Sequence, residues 1–316
     1  MLSASSPTGP PLKAQIVHGM RAADGAIERV RIDPATFEVR FKLIGADVVH
    51  SQQEPPAPSD AALTAEAAPG QGDALLNPAL RRRASAGSGI IEAIAELFLA
   101  GVLAQRPFCG SPHPRLLTGL GDGGGKAAFV LAWPHETSTG DVIYVHSDDV
   151  RAIQLAKAAL YAGSKLLMNR LNLADVDRVA LAGGFGSYID PKHAMLLGMI
   201  PDCDLAKVKA VGNAAGDGAR MMLLDRKKRA EAQWAARWTT YIETAVEPSF
   251  QEEFVGALNL PHAVDAFPHL DPIIAAARAQ WPPDRAAAVA AMVSGGRRTD
   301  DDQRAARRER RRRRDA

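Results

Sequence analysis

The sequence predicts an α/β protein in which short strands alternate with helices. Apolar runs of five or six residues are followed by stretches with the 3.6-residue period of a helix, and two of the runs end in glycine-rich turns. The chain of 316 residues is long enough to bury a sizeable core, and its 47% hydrophobic and 23% charged content is ordinary for a globular protein.

Four segments of the chain differ in composition. Residues 1–45 contain two alternating runs around a turn, which predict a β-hairpin. Residues 46–84 are rich in Pro, Ala, Gln and Gly and predict a flexible insertion. Residues 85–270 carry the strongest periodicity and predict an α/β unit. Residues 271–316 end in a run of arginines, and we predict a disordered tail because like charges repel each other.

Individual elements can be placed within these segments. Apolar residues at helical spacing predict a helix over 90–102, and Ser147 is a suitable N-cap for a second helix that runs to about residue 170. Asp190 and Pro191 predict the start of a short helix, since proline is tolerated at the first helical position. Strands are predicted at 27–32, 39–43, 128–133, 141–145, 178–182 (a buried strand) and 207–211.

Two strand-to-helix turns are the candidates for a binding site. Glycines at the end of a strand let the backbone bend sharply and let a planar ligand lie against the main chain, while a helix start offers free N–H groups to an anion. Ligands of open α/β sheets bind beyond the carboxyl ends of the strands. On spacing alone, tight turns of an ordinary α/β core explain both segments equally well. The candidate residues are Gly183, Gly184, Phe185, Gly186, Gly212, Asn213 and Gly216.

The residues of these turns resemble a known superfamily. Leu-Ala-Gly-Gly-Phe-Gly at 181–186 is similar to the adenosine motif of the actin, sugar-kinase and heat-shock-chaperone (ASKHA) superfamily, whose fold is ribonuclease-H-like, and residues 212–219 resemble its hinge-helix motif. Strings over roughly residues 5–270 resemble, more narrowly, reductive activators of corrinoid proteins. They are Ser-Ser-Pro-Thr-Gly-Pro at 5–10, Gly-Met-Arg-Ala-Ala at 19–23, Gly-Ala-Ile-Glu-Arg-Val at 25–30, Gly-Ser-Gly-Ile-Ile-Glu-Ala at 87–93 and Gly-Asn-Ala-Ala-Gly at 212–216.

The resemblance implies an activity, cofactors and a partner. Members of this family couple ATP hydrolysis to the reduction of Co(II) to Co(I) in a corrinoid protein, which reactivates methyltransferase systems. By resemblance, the residues that contact adenosine are Gly183, Gly184, Phe185 and Gly186. Those that line the hinge side of the cleft are Gly212, Asn213 and Gly216. ATP with Mg²⁺ is the implied cofactor, and the corrinoid protein of a methyltransferase system is the implied partner.

Two features of the relatives are not found in this sequence. Relatives carry a cysteine-rich electron-transfer domain, but a plant-type [2Fe–2S] cluster takes about four thiolates, and this chain has two cysteines, Cys109 and Cys203. Relatives also carry an Asp-x-Gly-Thr phosphate turn upstream of the string at 5–10. We therefore expect an incomplete, N-terminally truncated nucleotide-binding subdomain that does not hydrolyse ATP alone and has no assigned catalytic residue. The alternatives are an inactive nucleotide-binding or structural remnant and a small-molecule kinase of the same superfamily.

The remaining features concern surfaces and location. Residues 297–316 hold ten arginines and five acidic residues, so an acidic partner or nucleic acid is one interpretation of the tail and a solvated tail is the other. Trp234, Trp238 and Tyr241 at i, i+4 and i+7 predict a packing face. No signal-peptide pattern, no apolar run near the roughly 20 residues of a membrane span and no metal-ligand pattern occur. We expect a cytoplasmic protein without a metal site, and a homodimer stays open.

Overall fold

The computed structural model describes residues 1–8, 16–20, 22–45, 49–51, 84–103, 108, 113–120, 126–137 and 140–290. Within these ranges, strands and helices alternate as the sequence predicts. The strands are β1 (Leu2–Ala4), β2 (Ala26–Ile32), β3 (Val39–Leu43), β4 (Val49–Ser51), β5 (Ala84–Ser85), β6 (Leu116–Leu120), β7 (Lys126–Ala132), β8 (Ile143–His146), β9 (Val179–Leu181), β10 (Val208–Ala210) and β11 (Thr240–Ile242). The α-helices are α1 (Gly87–Leu99), α2 (Ser147–Arg170), α3 (Gly183–Tyr188), α4 (Pro191–Leu196), α5 (Ala214–Leu224), α6 (Arg226–Trp238), α7 (Phe250–Gly256) and α8 (Asp271–Arg278).

The predicted hairpin forms the centre of a sheet with the strand order β4-β3-β2-β5. β2 and β3 pair antiparallel, and the Asp33 carboxylate accepts hydrogen bonds from the backbone N–H groups of Ala35 and Thr36 at 2.9 and 2.8 Å. β4 and the first residue of β5 belong to the predicted insertion. The ends of that insertion therefore pair with the sheet, whereas residues 52–83 lie outside the described residues.

The main core lies between this sheet, α1 and a second sheet with the order β6-β7-β8. Ile91 and Ile94 of α1 are almost fully buried, and so is Phe129 of β7. The rings of Phe37 and Phe129 meet edge to face with 5.8 Å between centroids, so the two sheets share one core. Burial of this apolar surface stabilises the fold by about 25 cal/mol per Å².

Helix α2 confirms the predicted long helix and shifts its cap by one residue. His146, and not Ser147, is the N-cap. Its imidazole accepts a hydrogen bond from the backbone N–H of Asp148, and the backbone N–H of His146 donates to the Asp149 carboxylate at 2.9 Å. This reciprocal pair of hydrogen bonds satisfies two N–H groups at the helix start. The helix ends at Arg170, as the sequence predicts.

The segment after residue 270 is ordered where the sequence predicts the start of a disordered tail. α8 begins at Asp271, and residues 283–290 are also helical. The indole N–H of Trp281 donates to the carbonyl of Leu99 at 2.8 Å, and the guanidinium of Arg285 lies 3.6 Å from the centroid of the Phe37 ring. These contacts hold the segment against the core, and the amino-acid composition of the segment does not predict them. The arginine-rich end, 291–316, lies outside the described residues.

The remaining strands form two parallel pairs, β9 with β10 and β1 with β11. β9 is half-exposed, which differs from the predicted buried strand, because within the described ranges it pairs with β10 alone. The predicted packing face is also exposed: Trp234 and Trp238 are 59% and 57% exposed, and Tyr241 lies on β11 instead of the helix. Among the helices that the structure describes, none has the length and apolar character to cross a membrane.

Candidate functional site

The two glycine segments lie side by side at the carboxyl ends of β9 and β10. The strands pair in parallel with Leu181 opposite Ala210. The pairing continues past the strands, because the backbone N–H of Val211 donates to the Leu181 carbonyl at 2.9 Å and that of Gly183 donates to the Gly212 carbonyl at 2.8 Å. The structure therefore brings the candidate residues of both turns to one end of one sheet, where α/β folds bind ligands.

Three of the candidate glycines leave an open backbone surface. Gly183 and Gly212 have positive φ values of 89° and 71°, a conformation that favours glycine. A Cβ built on Gly183, Gly184 or Gly212 would meet no atom within 4 Å. The positive φ accounts for glycine at 183 and 212, whereas neither packing nor φ accounts for Gly184, and a flat ligand has room to approach the main chain at all three.

The other two candidate glycines are explained by local packing. A Cβ on Gly186 would lie 3.1 Å from the carbonyl carbon of Leu181, and one on Gly216 would lie 2.5 Å from Nδ2 of Asn213. Asn213 is the N-cap of α5, and its Oδ1 accepts from the backbone N–H of Gly216 at 3.1 Å. The side chain of Phe185 is outside the described part of the chain.

A buried charge network joins β2, α1 and the start of α4, and sequence reasoning missed it. The carboxylate of Glu92 is 1% exposed and sits 2.6 Å from a guanidinium nitrogen of Arg29 and 2.6 Å from one of Arg31. Arg31 also contacts Asp190, the N-cap of α4, at 3.6 Å. The partners lie about 60 or more positions apart in the sequence, so no local spacing points to them.

His193 is at the centre of the same network. Its Nε2 lies 2.6 Å from Glu96 and its Nδ1 lies 3.2 Å from Asp190. Burial alone would lower the pKa of His193, but the carboxylates of Asp190 and Glu96 raise it above the ordinary value. Burial alone would raise the pKa of Asp190, but the contact with His193 holds this pKa well below its usual range.

The ligand atoms of Glu92, Asp190 and His193 lie within 4.8 Å of one another, a spacing that a metal site would need. Two guanidinium groups already neutralise Glu92, and a third carboxylate, Glu96, shares the imidazole. The arrangement is therefore an ion-pair network in which the arginine guanidinium groups occupy the place that a metal ion would take.

A groove of about 550 Å³ opens beside this network. Arg31, Arg40 and Lys192 line its charged side, and Ile273 and Ala277 of α8 line its apolar side. None of the candidate glycines lines it. The groove is thus separate from the carboxyl ends of β9 and β10.

Comparison with known proteins decides the family. A sequence profile described as the C-terminal domain of RACo, the ASKHA domain, matches residues 1–271. The chain belongs to this family. The corrinoid activation enzyme RamQ of Eubacterium limosum is 31% identical to this ASKHA domain over 260 residues, which are 80% of this chain and 38% of RamQ.

A solved structure gives the same result for the fold. The reductive activator for corrinoid, iron-sulfur protein superposes on this ASKHA domain with a TM-score of 0.64 at 32% sequence identity, and the match covers 83% of this chain and 36% of that one. The family resemblance and the fold class predicted from the sequence are confirmed. The ASKHA domain described here spans less than two fifths of the length of either relative.

Proposed function

We propose that this ASKHA domain supplies the adenosine-binding wall of an ATP-dependent reductive activator that returns the Co(II) of a corrinoid protein to Co(I). The observation that carries the proposal is the hydrogen bond from Gly183 to Gly212, which joins the two glycine turns into one open backbone surface. The family match and the names of the two relatives support a corrinoid protein as the partner. By the sequence resemblance, it is the corrinoid protein of a methyltransferase system.

The residues present fit adenosine better than they fit Mg²⁺. Gly183, Gly184 and Gly212 leave room for a planar base, whereas the backbone N–H groups of Ala214 and Gly216 at the start of α5 already donate to the Gly212 carbonyl and to Oδ1 of Asn213. Asp190 is already held by Arg31 and His193, and thus is not free to bind a metal ion. ATP with Mg²⁺ would supply the driving force for the one-electron reduction, and this chain would contribute binding of the nucleoside.

Isothermal titration calorimetry with ATP, ADP and inorganic tripolyphosphate tests the nucleotide part of the proposal. We expect ATP and ADP to bind with similar affinity and tripolyphosphate not to bind, because the open backbone at Gly183, Gly184 and Gly212 recognises the nucleoside. We also expect no phosphate release from ATP by this chain alone. Absence of ATP and ADP binding, or competition by tripolyphosphate, would contradict the proposal.

A matched pair of variants separates ligand contact from backbone strain. Gly183→Ala and Gly140→Ala both place a side chain at a positive φ, 89° and 77°, and neither new Cβ meets an atom within 4 Å. Both variants carry similar strain, about 1–2 kcal/mol. We expect Gly183→Ala alone to weaken ADP binding, and equal binding by both variants would remove Gly183 from the site.

A further inference from the structure

The glycine turn that opens α3 has its nearest buried anchor in the segment that follows it. Between Met168 near the end of α2 and Ile189 after α3, no residue that the structure describes is buried. α3 lies against α1 and β10, and its described residues are half-buried or exposed. α4 then buries Met195 and Leu196. The place of Gly183 relative to the core therefore depends on where α4 starts.

A buried histidine ties the start of α4 to α1. His193 is 0% exposed, and its Nε2 lies 2.6 Å from the carboxylate of Glu96 on α1. Its Nδ1 lies 3.2 Å from the carboxylate of Asp190, the N-cap of α4 and the second residue after α3 ends. The imidazole thus sits between α1 and the junction that joins α3 to α4.

Only the charged imidazole suits both carboxylates. A neutral imidazole has one N–H and one lone pair, so in either tautomer a lone pair would face Glu96 or Asp190. The contact from Nδ1 to Asp190 is not aligned as a hydrogen bond and therefore acts through charge. Removal of the proton would turn one of the two attractions of His193 into a repulsion.

The other charged groups around His193 come from three elements. They are Arg29 and Arg31 of β2, Glu92 and Glu96 of α1, and Asp190 and Lys192 of α4, whereas α8 faces Lys192 across the groove with apolar side chains. Burial has the largest effect on the pKa of His193 and lowers it, and Lys192 lowers it too. Asp190 and Glu96 nevertheless raise it above the ordinary value, so the carboxylates outweigh the cations.

We infer that His193 is a positioning residue of the nucleotide site, whose charged imidazole holds the start of α4 against α1 and so keeps the Gly183 turn aligned with the Gly212 turn. This inference rests on the proposed function. On loss of the proton Asp190 is the partner that moves, because its side chain is 26% exposed and that of Glu96 is 7% exposed. The apolar residues of α4 stay buried, so the fold persists while the turn shifts.

Calorimetric titration of the full chain with ADP between about pH 6 and 9 tests the inference, and an NMR titration of the His193 ring gives the pH at which it loses its proton. We expect the affinity for ADP to fall by roughly threefold or more through that pH, because a smaller fraction of molecules holds the turn in the binding geometry. His193→Gln should bind ADP weakly without this step. ADP and Lys157 also titrate in this range, but equally in both proteins, so the difference between them belongs to His193.

His269→Gln is the matched control. It removes an imidazole that lies 2.6 Å from the Asp202 carboxylate, outside the network of His193. We expect this variant to keep the wild-type affinity and the wild-type step. Loss of the step in both variants, or its survival in His193→Gln, would overturn the inference and leave the nucleotide proposal standing.

Hydrogen exchange gives a readout that needs no nucleotide. The backbone N–H of Gly183 donates to the Gly212 carbonyl at 2.8 Å, so its protection factor reports whether the two turns are aligned. We expect this protection to fall as His193 loses its proton in the wild type, and to be low on both sides of that pH in His193→Gln. Absence of ADP binding at every pH would contradict the nucleotide proposal. Unchanged protection of Gly183 through the His193 titration would overturn the present inference, whether or not ADP binds.

Discussion

Lys157 is fully buried in α2, and its ammonium group gives a quantitative prediction. Its Nζ donates hydrogen bonds to the backbone carbonyls of Asn259 and Pro261, and no carboxylate is among its described partners. Burial without a countercharge lowers the pKa of Lys157 from 10.5 to about 7. The folded chain therefore releases this proton at a lower pH than the unfolded chain does.

The sign of the pH dependence follows from proton counts. Between pH 7 and 10.5 the unfolded state holds more protons at Lys157 than the folded state, so the free energy of unfolding rises with pH, by about 1.4 kcal/mol per unit where the difference is one proton. From pH 8 to pH 9.5 the contribution of Lys157 is about 2 kcal/mol. Urea denaturation of the wild type and of Lys157→Met at several pH values measures it as the difference between the two slopes.

The variant Lys157→Met loses two hydrogen bonds, but it also loses the cost of burying an ammonium group at low pH, so the loss of pH slope and not the sign of the stability change tests the argument. Lys165→Met is the control on the same helix, because the Lys165 ammonium pairs with the Asp265 carboxylate at 2.7 Å. We expect this control to keep the wild-type slope. Parallel stability curves for the wild type and Lys157→Met between pH 8 and 9.5 would refute the reasoning and show that the buried amine stays charged.

Two other predictions concern packing and the buried histidine. Gly101→Ala should destabilise the fold by about 3 kcal/mol, because it adds strain at a φ of 75° and a Cβ 2.8 Å from the Trp281 ring. Gly140→Ala adds strain alone and should cost about 1–2 kcal/mol in urea denaturation, and equal costs would contradict the packing argument. Asp190→Asn keeps an N-cap but removes a carboxylate, so the pKa of His193 should fall in an NMR titration. Protonated His193 stabilises the fold at low pH, and this stabilisation is lost as the pH rises through its folded pKa. The variant should therefore gain less stability at low pH than the wild type does. An unmoved His193 titration would show that Asp190 does not set the charge of the imidazole.

Local signals explain the parts of the fold that the sequence predicts well. The β2–β3 hairpin follows from alternation on both sides of a turn that starts at Asp33, and all of this information lies within 17 residues, 27–43. The α2 helix follows from a long helical period behind a cap. In both cases neighbours along the chain fix the conformation, so a reading of spacing is sufficient.

Long-range contacts explain the parts that it does not predict. The contact between Glu96 and His193 joins residues 97 positions apart, and no spacing marks either residue as half of a buried pair. Residues after 270 look like the start of a tail by composition, but Trp281 and Arg285 find partners on the core. The exposure of Trp234 and Trp238 was missed for the converse reason: an amphipathic helix predicts that an apolar side will be covered, but does not show which molecule covers it.

The space around each candidate glycine decides whether a substitution there can report on ligand contact. A loss of nucleotide binding in Gly216→Ala would not show contact, because the new Cβ would lie 2.5 Å from Nδ2 of Asn213 and disturb the cap of α5. Gly186→Ala has the same defect, since its Cβ would press on the backbone of Leu181. Gly184→Ala has neither a steric conflict within 4 Å nor a positive φ, so the fold should accept it with little change in stability. Retained ADP binding in Gly184→Ala, together with loss in a bulkier Gly184→Val, would place the ligand within a side chain's length of this backbone; equal binding by both would place it elsewhere.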